Sequence, residues 1–302
     1  MFMHTDQNEE SRDEGLYCQT LQRQKILHQV SGREGCFNDV VISRNDEVNH
    51  VVILFPGDAQ DFTQNMTNHR DNFRWKEYSL ENTSQMINRK YPHACVCLVK
   101  ASYLHLRTFA CYRNFTECNM FGVPTYTSVN LNAFSQLFGL FKGICRQESL
   151  KEDLPVTLIG FSKGCIVLNQ LLYELPALLE SSETAIKSFF SNVRSFLLLD
   201  SGVSGSSGAW VTDKKYIQSA AQNVSDIQVH LTPYQIKDKM RPWINKEKKQ
   251  FVEGLKEYGG NVYENMYFDD HLPQLADHFA LLRSFEPLRC TKEFLHKHTE
   301  MQ

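Results

Sequence analysis

The sequence predicts an α/β fold in which a mostly parallel central sheet carries helices on both faces. Short runs rich in β-branched residues alternate with segments whose apolar residues recur at helical spacing, as in folds built from parallel strands and crossover helices. The runs 51–55 and 196–199 are almost continuously apolar, which is typical of central strands buried on both sides. A Gly/Ser-rich stretch, 200–208, directly follows the second run, so we expect it at the carboxyl edge of the sheet, where ligands bind in such folds.

The strand and helix candidates alternate along most of the chain. The strand candidates are 39–43, 48–55, 94–99, 155–161, 193–199, 227–232 and 261–268. The helix candidates are 131–144, 165–175 and 251–258. Pro176 is expected to end or kink the second helix, and Gly259 with Gly260 to end the third.

Composition indicates one large domain. The chain has 302 residues, of which 42% are hydrophobic and 22% charged, and this is sufficient for a sizeable core. We predict a flexible acidic tail at 1–15 and a domain at 16–302. The 32 Lys and Arg residues nearly balance the 35 Asp and Glu residues, which argues against a nucleic acid partner. No apolar run reaches the ~20 residues of a transmembrane helix.

The cysteines and the amino terminus predict a soluble, intracellular protein. The nine cysteines show neither the paired spacing of a disulfide framework nor that of a zinc site. Cys95 and Cys97 would share one strand face, but two ligands alone make a poor metal site, so we expect no metal and no cofactor. The first ten residues lack both an apolar signal region and an Arg-rich presequence pattern, which favours the cytosol.

The motif Gly160-Phe161-Ser162-Lys163-Gly164 predicts a nucleophile elbow. It stands between a strand candidate and an amphipathic helix candidate, which is the context that the α/β-hydrolase fold requires. Gly160 and Gly164 would allow strand and helix to approach closely and would hold Ser162 in a strained conformation above the sheet edge. Ser162 is therefore the candidate nucleophile, and the amino end of the following helix would favour a developing oxyanion.

An oxyanion hole needs two backbone N–H donors. The first is expected from Lys163, directly after the nucleophile. The second is expected from Gly57, Asp58 or Ala59, in the turn that follows strand 48–55. Gly57 would permit the close backbone approach that such a donor needs.

The base is expected to be a histidine after the last strand, because hydrolases of this fold follow the order Ser, acid, His. His271, His278, His296 and His298 meet this condition. We favour His278 over His271, since it stands where a loop leads into the last helix. His296 and His298 lie in a Lys-containing tail and are expected to be solvated.

Two aspartates are candidates for the acid that would orient the imidazole. Asp200 ends the strand 193–199, and Asp238 follows the strand 227–232 after a short segment. Asp238 has the more usual position, in which case Asp200 would shape the pocket. Either residue could instead cap a helix or a turn.

These residues predict hydrolysis of an ester or thioester by an esterase, thioesterase or lipase-like enzyme with a Ser-His-Asp triad and without cofactor. The substrate would be a small molecule or a lipid acyl compound. The alternative is a catalytically inactive scaffold that binds a protein partner, since a fold does not guarantee activity. Aromatic residues within 61–75 and 107–126 could form an apolar lid or a satellite core.

The chain also resembles a small eukaryotic family of mitochondrial α/β-hydrolase-like proteins, that of the chromosome two open reading frame sixty-nine protein. The matching strings are Leu54-Phe55-Pro56-Gly57-Asp58, Tyr78-Ser79-Leu80-Glu81-Asn82, Asn119-Met120-Phe121-Gly122, Gly160-Phe161-Ser162-Lys163-Gly164-Cys165, Trp210-Val211-Thr212, Thr232-Pro233-Tyr234-Gln235 and His278-Phe279, within about residues 36 to 285. The resemblance implies a serine-hydrolase-like protein of the mitochondrial matrix without an assigned substrate. It favours His278 as the base and leaves the choice of the acid between Asp200 and Asp238 open. The mitochondrial location that it implies contrasts with the absence of a visible presequence.

Overall fold

A computed structural model describes residues 23–205 and 207–288, and the predicted tail, His296 and His298 lie outside these ranges. Its centre is an eight-stranded sheet. The strands are β1 (Arg23–Ser31), β2 (Phe37–Arg44), β3 (His50–Phe55), β4 (Ala94–Val99), β5 (Val156–Phe161), β6 (Val193–Leu199), β7 (Ile227–Leu231) and β8 (Val262–Met266).

The sheet is mostly parallel, as the sequence predicts. Its strand order is β1-β2-β4-β3-β5-β6-β7-β8, and β2 alone runs antiparallel to both of its neighbours in it. Phe161 of β5 pairs with Leu199 of β6, which pairs with His230 of β7. The carboxyl ends of these strands therefore reach the same edge, so that Ser162 and Asp200 follow from neighbouring strands.

Nine α-helices occur in the described ranges. They are α1 (Thr63–Thr67), α2 (Leu80–Lys90), α3 (Asn132–Glu148), α4 (Cys165–Glu180), α5 (Thr184–Ser191), α6 (Lys214–Asn223), α7 (Pro233–Ile236), α8 (Pro242–Glu257) and α9 (Leu275–Ser284). Short 3-10 segments span Asn72–Tyr78 and Ser162–Gly164, and two small hairpins pair Tyr103–His105 with Phe109–Cys111 and Glu117–Cys118 with Pro124–Thr125. None of the described helices is long and apolar enough to cross a membrane.

The core lies on both faces of the sheet, because alternate strand residues point in opposite directions. Val52, Leu54 and Leu197 pack in a cluster with α2 and α9. The alternating residues Ile53 and Leu198 belong to a second cluster, which includes side chains of α3, α4, α5, α6 and α8. The predicted coverage of both faces by helices is thereby confirmed.

Two helix predictions differ from the structure at their ends. Helix α4 continues beyond Pro176 to Glu180, because most of its side chains are buried and packing outweighs the hydrogen bond lost at proline. Helix α8 begins at Pro242, well before the predicted start, and proline at the first turn is compatible with a helix. It ends before Gly259, which has φ +77°.

Candidate active site

The elbow between β5 and α4 has the close contacts that its glycines permit. A Cβ atom on Gly160 would lie 2.6 Å from Cys165 Cα, and one on Gly164 would lie 1.8 Å from the carbonyl oxygen of Phe55. Neither position can therefore accept a side chain without movement of the backbone. Ser162, between them, has φ +53°, a left-handed conformation that non-glycine residues rarely adopt.

A buried histidine and a buried aspartate meet beside this elbow. His278 Nδ1 lies 2.6 Å from Asp200 Oδ2. Asp200 also accepts hydrogen bonds from the Thr232 N–H at 2.9 Å and from Thr232 Oγ1 at 2.5 Å. These contacts fix the carboxylate and, through it, the orientation of the imidazole. This role of Thr232, which ends a predicted strand, could not be predicted from the sequence.

Aromatic rings from the elbow and from α7 pack against the His278 imidazole. Phe161, which precedes Ser162, stacks on it at a centroid distance of 4.7 Å, and Tyr234 lies at 4.9 Å. Among the residues that the structure describes, Ser162 Oγ and His278 Nε2 make no hydrogen bond. Both atoms are thus uncommitted within the described chain.

The other predicted acid and base lie in different surroundings. Asp238 Oδ2 accepts a hydrogen bond from Arg241 Nε at 2.6 Å, and although partial burial opposes it, this bond lowers the pKa of Asp238. His271 is 43% exposed at its side chain and pairs through Nδ1 with Asp277 at 2.9 Å. The structure therefore brings Asp200, and not Asp238, to His278.

The turn after β3 lies directly against Ser162, the candidate nucleophile. A Cβ atom on Gly57 would approach Ser162 Cβ to 2.7 Å. The Gly57 N–H donates to Gln60 Oε1 at 2.8 Å, and the Ala59 N–H donates to the carbonyl oxygen of Thr108 at 2.7 Å. Within the described ranges, the amides of Asp58 and Lys163 donate to no loop or turn acceptor. These two amides are thus the available donors among the predicted ones.

The Lys163 side chain adds a buried positive charge whose position was not predicted from the sequence. Its Nζ lies 2.7 Å from Asp58 Oδ2 and donates to the carbonyl oxygen of Phe121 at 2.8 Å. Burial raises the pKa of Asp58, although the Lys163 ammonium acts in the opposite direction. Two features of the sequence could have indicated this ion pair. They are a lysine inside an otherwise apolar elbow and an aspartate in the turn that was predicted to hold the second oxyanion donor.

The described residues contain no cluster of three or more His, Cys, Asp or Glu side chains that could hold a metal ion. Cys95 and Cys97 do share one strand face, with their Sγ atoms 3.8 Å apart in the core. The hydrogen bond with the Cys95 thiol, together with burial, raises the pKa of Cys97, which disfavours the thiolate that a metal would need.

Solved structures similar to this chain include a hydrolase-like enzyme and an esterase. A dienelactone hydrolase-like promiscuous phosphotriesterase from metagenomic libraries matches with a TM-score of 0.46 and 7% identity, covering 92% of this chain and 95% of that chain. The enterochelin esterase of Shigella flexneri matches with a TM-score of 0.47 and 12% identity, covering 86% and 56%. The mostly parallel sheet covered by helices and the strand–turn–helix around Ser162 are features of the α/β-hydrolase fold, so this chain's own architecture confirms the fold predicted from the sequence.

Relatives are found in vertebrates. The mitochondrial protein C2orf69 homolog of Mus musculus is 33% identical over 315 residues, covering 87% of this chain and 83% of the relative. The mitochondrial protein C2orf69 of Homo sapiens is 32% identical over 288 residues, covering 78% and 74%. The model of the C2orf69 family matches residues 26–154 and 144–261. The family resemblance noted in the sequence is thereby confirmed, and the chain belongs to the C2orf69 family.

Proposed function

We propose that this protein is a serine hydrolase that cleaves ester or thioester bonds. The observation that carries the proposal is the buried Asp200–His278 pair, at 2.6 Å, beside a serine with a strained backbone at a nucleophile elbow. Ser162 and Asp200 follow the ends of neighbouring strands, and His278 lies on α9. Their hydroxyl, carboxylate and imidazole are the groups that acyl transfer to serine requires.

In the proposed mechanism, His278 Nε2 accepts the proton of Ser162 while Ser162 Oγ attacks the substrate carbonyl. The imidazolium returns this proton to the departing alcohol or thiol, which leaves an acyl group on Ser162. Water, deprotonated by the same imidazole, then releases the acid and restores the hydroxyl. We assign the orienting acid to Asp200, because its contacts with Thr232 and His278 hold the imidazole in one tautomer.

Two amides would stabilise the oxyanion. The N–H of Lys163 follows the nucleophile, and the N–H of Asp58 belongs to the turn that abuts Ser162. Gly57 and Ala59 were predicted as alternatives, but their N–H groups already donate within the turn and the neighbouring hairpin. We therefore assign the second donor to Asp58.

The surroundings of the site favour an apolar acyl group. Five exposed apolar side chains stand on loops that follow carboxyl ends of the sheet strands, namely Leu106, Met120, Phe121, Met240 and Leu272. Lys237 donates to the carbonyl oxygen of Asp269, which connects the loops of Met240 and Leu272, and Phe109 packs on Phe121 within the connection after β4. We propose that this apolar rim, defined by the five residues, receives the acyl chain of a small ester or lipid.

A second candidate function is that of an inactive scaffold that binds a protein partner. The observation in its favour is that Ser162 Oγ makes no hydrogen bond with His278 in the described structure. Such bonds are often long in a ligand-free hydrolase and tighten with substrate, so we place the enzyme first.

We also propose that the protein acts in mitochondria, and specifically in the matrix. The support is the word "mitochondrial" in the names of its relatives. Fractionation of cells that express the protein with a carboxyl-terminal tag, followed by protease protection of intact and ruptured mitochondria, tests this. A tag protected only within intact inner membranes supports the matrix, and a cytosolic tag contradicts it.

Covalent labelling of purified protein by a fluorophosphonate probe tests the proposed hydrolase. We expect the wild type to be labelled, Ser162→Ala to be unlabelled, and His278→Ala to react at least about a hundredfold more slowly. His271→Ala is the matched control, since this exposed histidine pairs with Asp277, and it should react like the wild type. A well-folded wild type that does not react would favour the scaffold.

A further inference from the structure

The buried ammonium group of Lys163 connects the elbow to two loops that cover it. The residue is only 1% exposed, and a lysine is rarely buried to this extent unless its charge is paired. Its Nζ contacts Asp58 Oδ2 at 2.7 Å and the carbonyl oxygen of Phe121 at 2.8 Å, and it lies 5.2 Å from the centre of the Phe109 ring. These contacts reach the turn after β3 and the hairpin region 103–125.

The Asp58 side chain fixes the conformation of its own turn. One carboxylate oxygen pairs with Lys163, and the other accepts the Ala110 N–H at 2.7 Å. The next residue, Ala59, has φ +64° and donates its N–H to Thr108. Such a backbone conformation persists only where surrounding contacts determine it, and here the contacts on both sides of Asp58 do so.

The charge of Lys163 also matters for the reaction that we propose. Asp58 belongs to the turn that lies against Ser162, so its carboxylate is near the site of the proposed reaction. An unpaired carboxylate at this place would repel the negative charge that develops on the substrate oxygen. The ion pair with Lys163 therefore allows an aspartate to stand beside an oxyanion hole.

From this geometry we infer that Lys163 is a positioning residue, whose side chain holds Asp58 so that the Asp58 N–H serves as the second oxyanion donor. One residue then contributes the first donor through its backbone and places the second through its ion pair. The inference rests on the proposed serine hydrolase function. It assigns to Lys163 and Asp58 a role in the rate of the chemical step and not in the affinity for the substrate.

The test measures fluorophosphonate labelling rates, and kcat and KM for p-nitrophenyl butyrate, in Lys163→Met and in the double variant Lys163→Met/Asp58→Asn. We expect Lys163→Met to lower both the labelling rate constant and kcat about a hundredfold with KM changed less than about threefold, because a displaced donor affects mainly the transition state. The double variant removes the repulsive carboxylate and is expected to stay at least about thirtyfold slow. Its return to the wild-type rate would show that Lys163 only neutralises Asp58 and would overturn the positioning role.

A matched control separates this role from stability. Lys248→Met removes the cation of another ion pair with little exposure, which Lys248 Nζ forms with Glu264 Oε1 at 2.5 Å between α8 and the edge strand β8. It is expected to lower the melting temperature and to keep the labelling rate within about twofold. All rates are measured well below the lowest melting temperature.

Asp58→Asn serves if Lys163→Met does not fold, because it breaks the same ion pair from the more exposed partner. We expect labelling about tenfold slower than in the wild type, and an unchanged rate would overturn the inference. A wild type that does not react overturns the proposed function and this role with it. A reactive wild type with equally reactive Lys163 and Asp58 variants overturns only the role of the pair.

Discussion

The two edges of the central sheet differ in how they use strained backbone. Eight non-glycine residues of the described chain have positive φ, and six of them lie on connections that follow carboxyl ends of the sheet strands: Ala59, Leu106, Arg107, Ser162, Asp200 and Phe268. The amino edge instead contains a cavity of about 490 Å³ that is lined in part by His50, Tyr91, Thr157 and Ser195. Strain is thus concentrated where we propose the chemistry, as expected for functional sites.

The two edges also differ in the partners of their histidines. His278, at the carboxyl edge, is paired with the Asp200 carboxylate, which would stabilise an imidazolium. His50, at the amino edge, forms a hydrogen bond with the neutral hydroxyl of Thr157 at 2.9 Å and stacks on Tyr91, and burial lowers its pKa to about 4. A histidine whose pKa is lowered in this way is a poor base near neutral pH. Unlike His50, His278 has a carboxylate partner that orients its ring.

The largest expected effect comes from removing that partner. We expect Asp200→Asn to lower kcat about ten-thousandfold, because an amide would favour the wrong tautomer of His278 and could not stabilise its cation. Asp238→Asn should stay within about twofold of the wild type, since Asp238 pairs with Arg241. Steady-state kinetics on an ester that the wild type cleaves provide the measurement. A larger loss of kcat in Asp238→Asn than in Asp200→Asn would instead identify Asp238 as the acid that orients His278.

The next prediction compares two glycines, one required because space for a side chain is absent and the other because its φ is positive. Gly164→Ala would place a Cβ 1.8 Å from the carbonyl oxygen of Phe55, so we expect a loss of about 3 kcal/mol or more in the free energy of unfolding. Gly259→Ala, at φ +77° with open space around it, should cost only about 1 kcal/mol. Urea unfolding followed by circular dichroism measures both. Equal losses would mean that the elbow relaxes more easily than its contacts indicate.

The sequence predicted the inner strands and the elbow well, because burial on both faces leaves continuous apolar runs that few other structures produce. It did not predict β1, in which only Leu27 and Val30 are buried and an irregularity between them interrupts the alternation of an edge strand. Helices α2, α5 and α6 were also not predicted. Their apolar faces are narrow or short, and tertiary packing rather than local pattern stabilises them.

At the site, the sequence could order the candidates but could not choose between two aspartates. Asp200 and Asp238 both follow strands, and only the side-chain contacts reveal that Thr232 and His278 surround the first while Arg241 holds the second. The Lys163–Asp58 pair was missed for the same reason. Local pattern reports which residues reach an edge of the sheet, whereas pair formation depends on loops that are distant in sequence.

A pH effect is expected at the amino edge. The pKa of His50 is about 4 in the folded protein and about 6.5 when unfolded, so the unfolded chain takes up the proton first as the pH falls. The free energy of unfolding therefore falls as the pH decreases from about 6.5 to 4. The loss that His50 causes reaches about 2 kcal/mol at pH 5. His50→Gln should flatten this decline by that amount in urea titrations from pH 7 to 5. An unchanged pH dependence would mean that the cavity hydrates the imidazole.

The smallest effect concerns the apolar rim. Leu272→Ser changes a side chain that is 86% exposed, so the free energy of unfolding should stay within about 0.5 kcal/mol of the wild type. If the rim receives an acyl chain, kcat/KM for p-nitrophenyl decanoate should fall about threefold to tenfold while that for the acetate ester is unchanged, because only the long chain reaches the rim. Leu179→Ser, 40% exposed near the end of α4 and away from the rim, is the matched control and should affect neither ester. An equal loss on both esters in Leu272→Ser would instead indicate a disturbed active site, since chain length distinguishes binding at the rim from a change at Ser162.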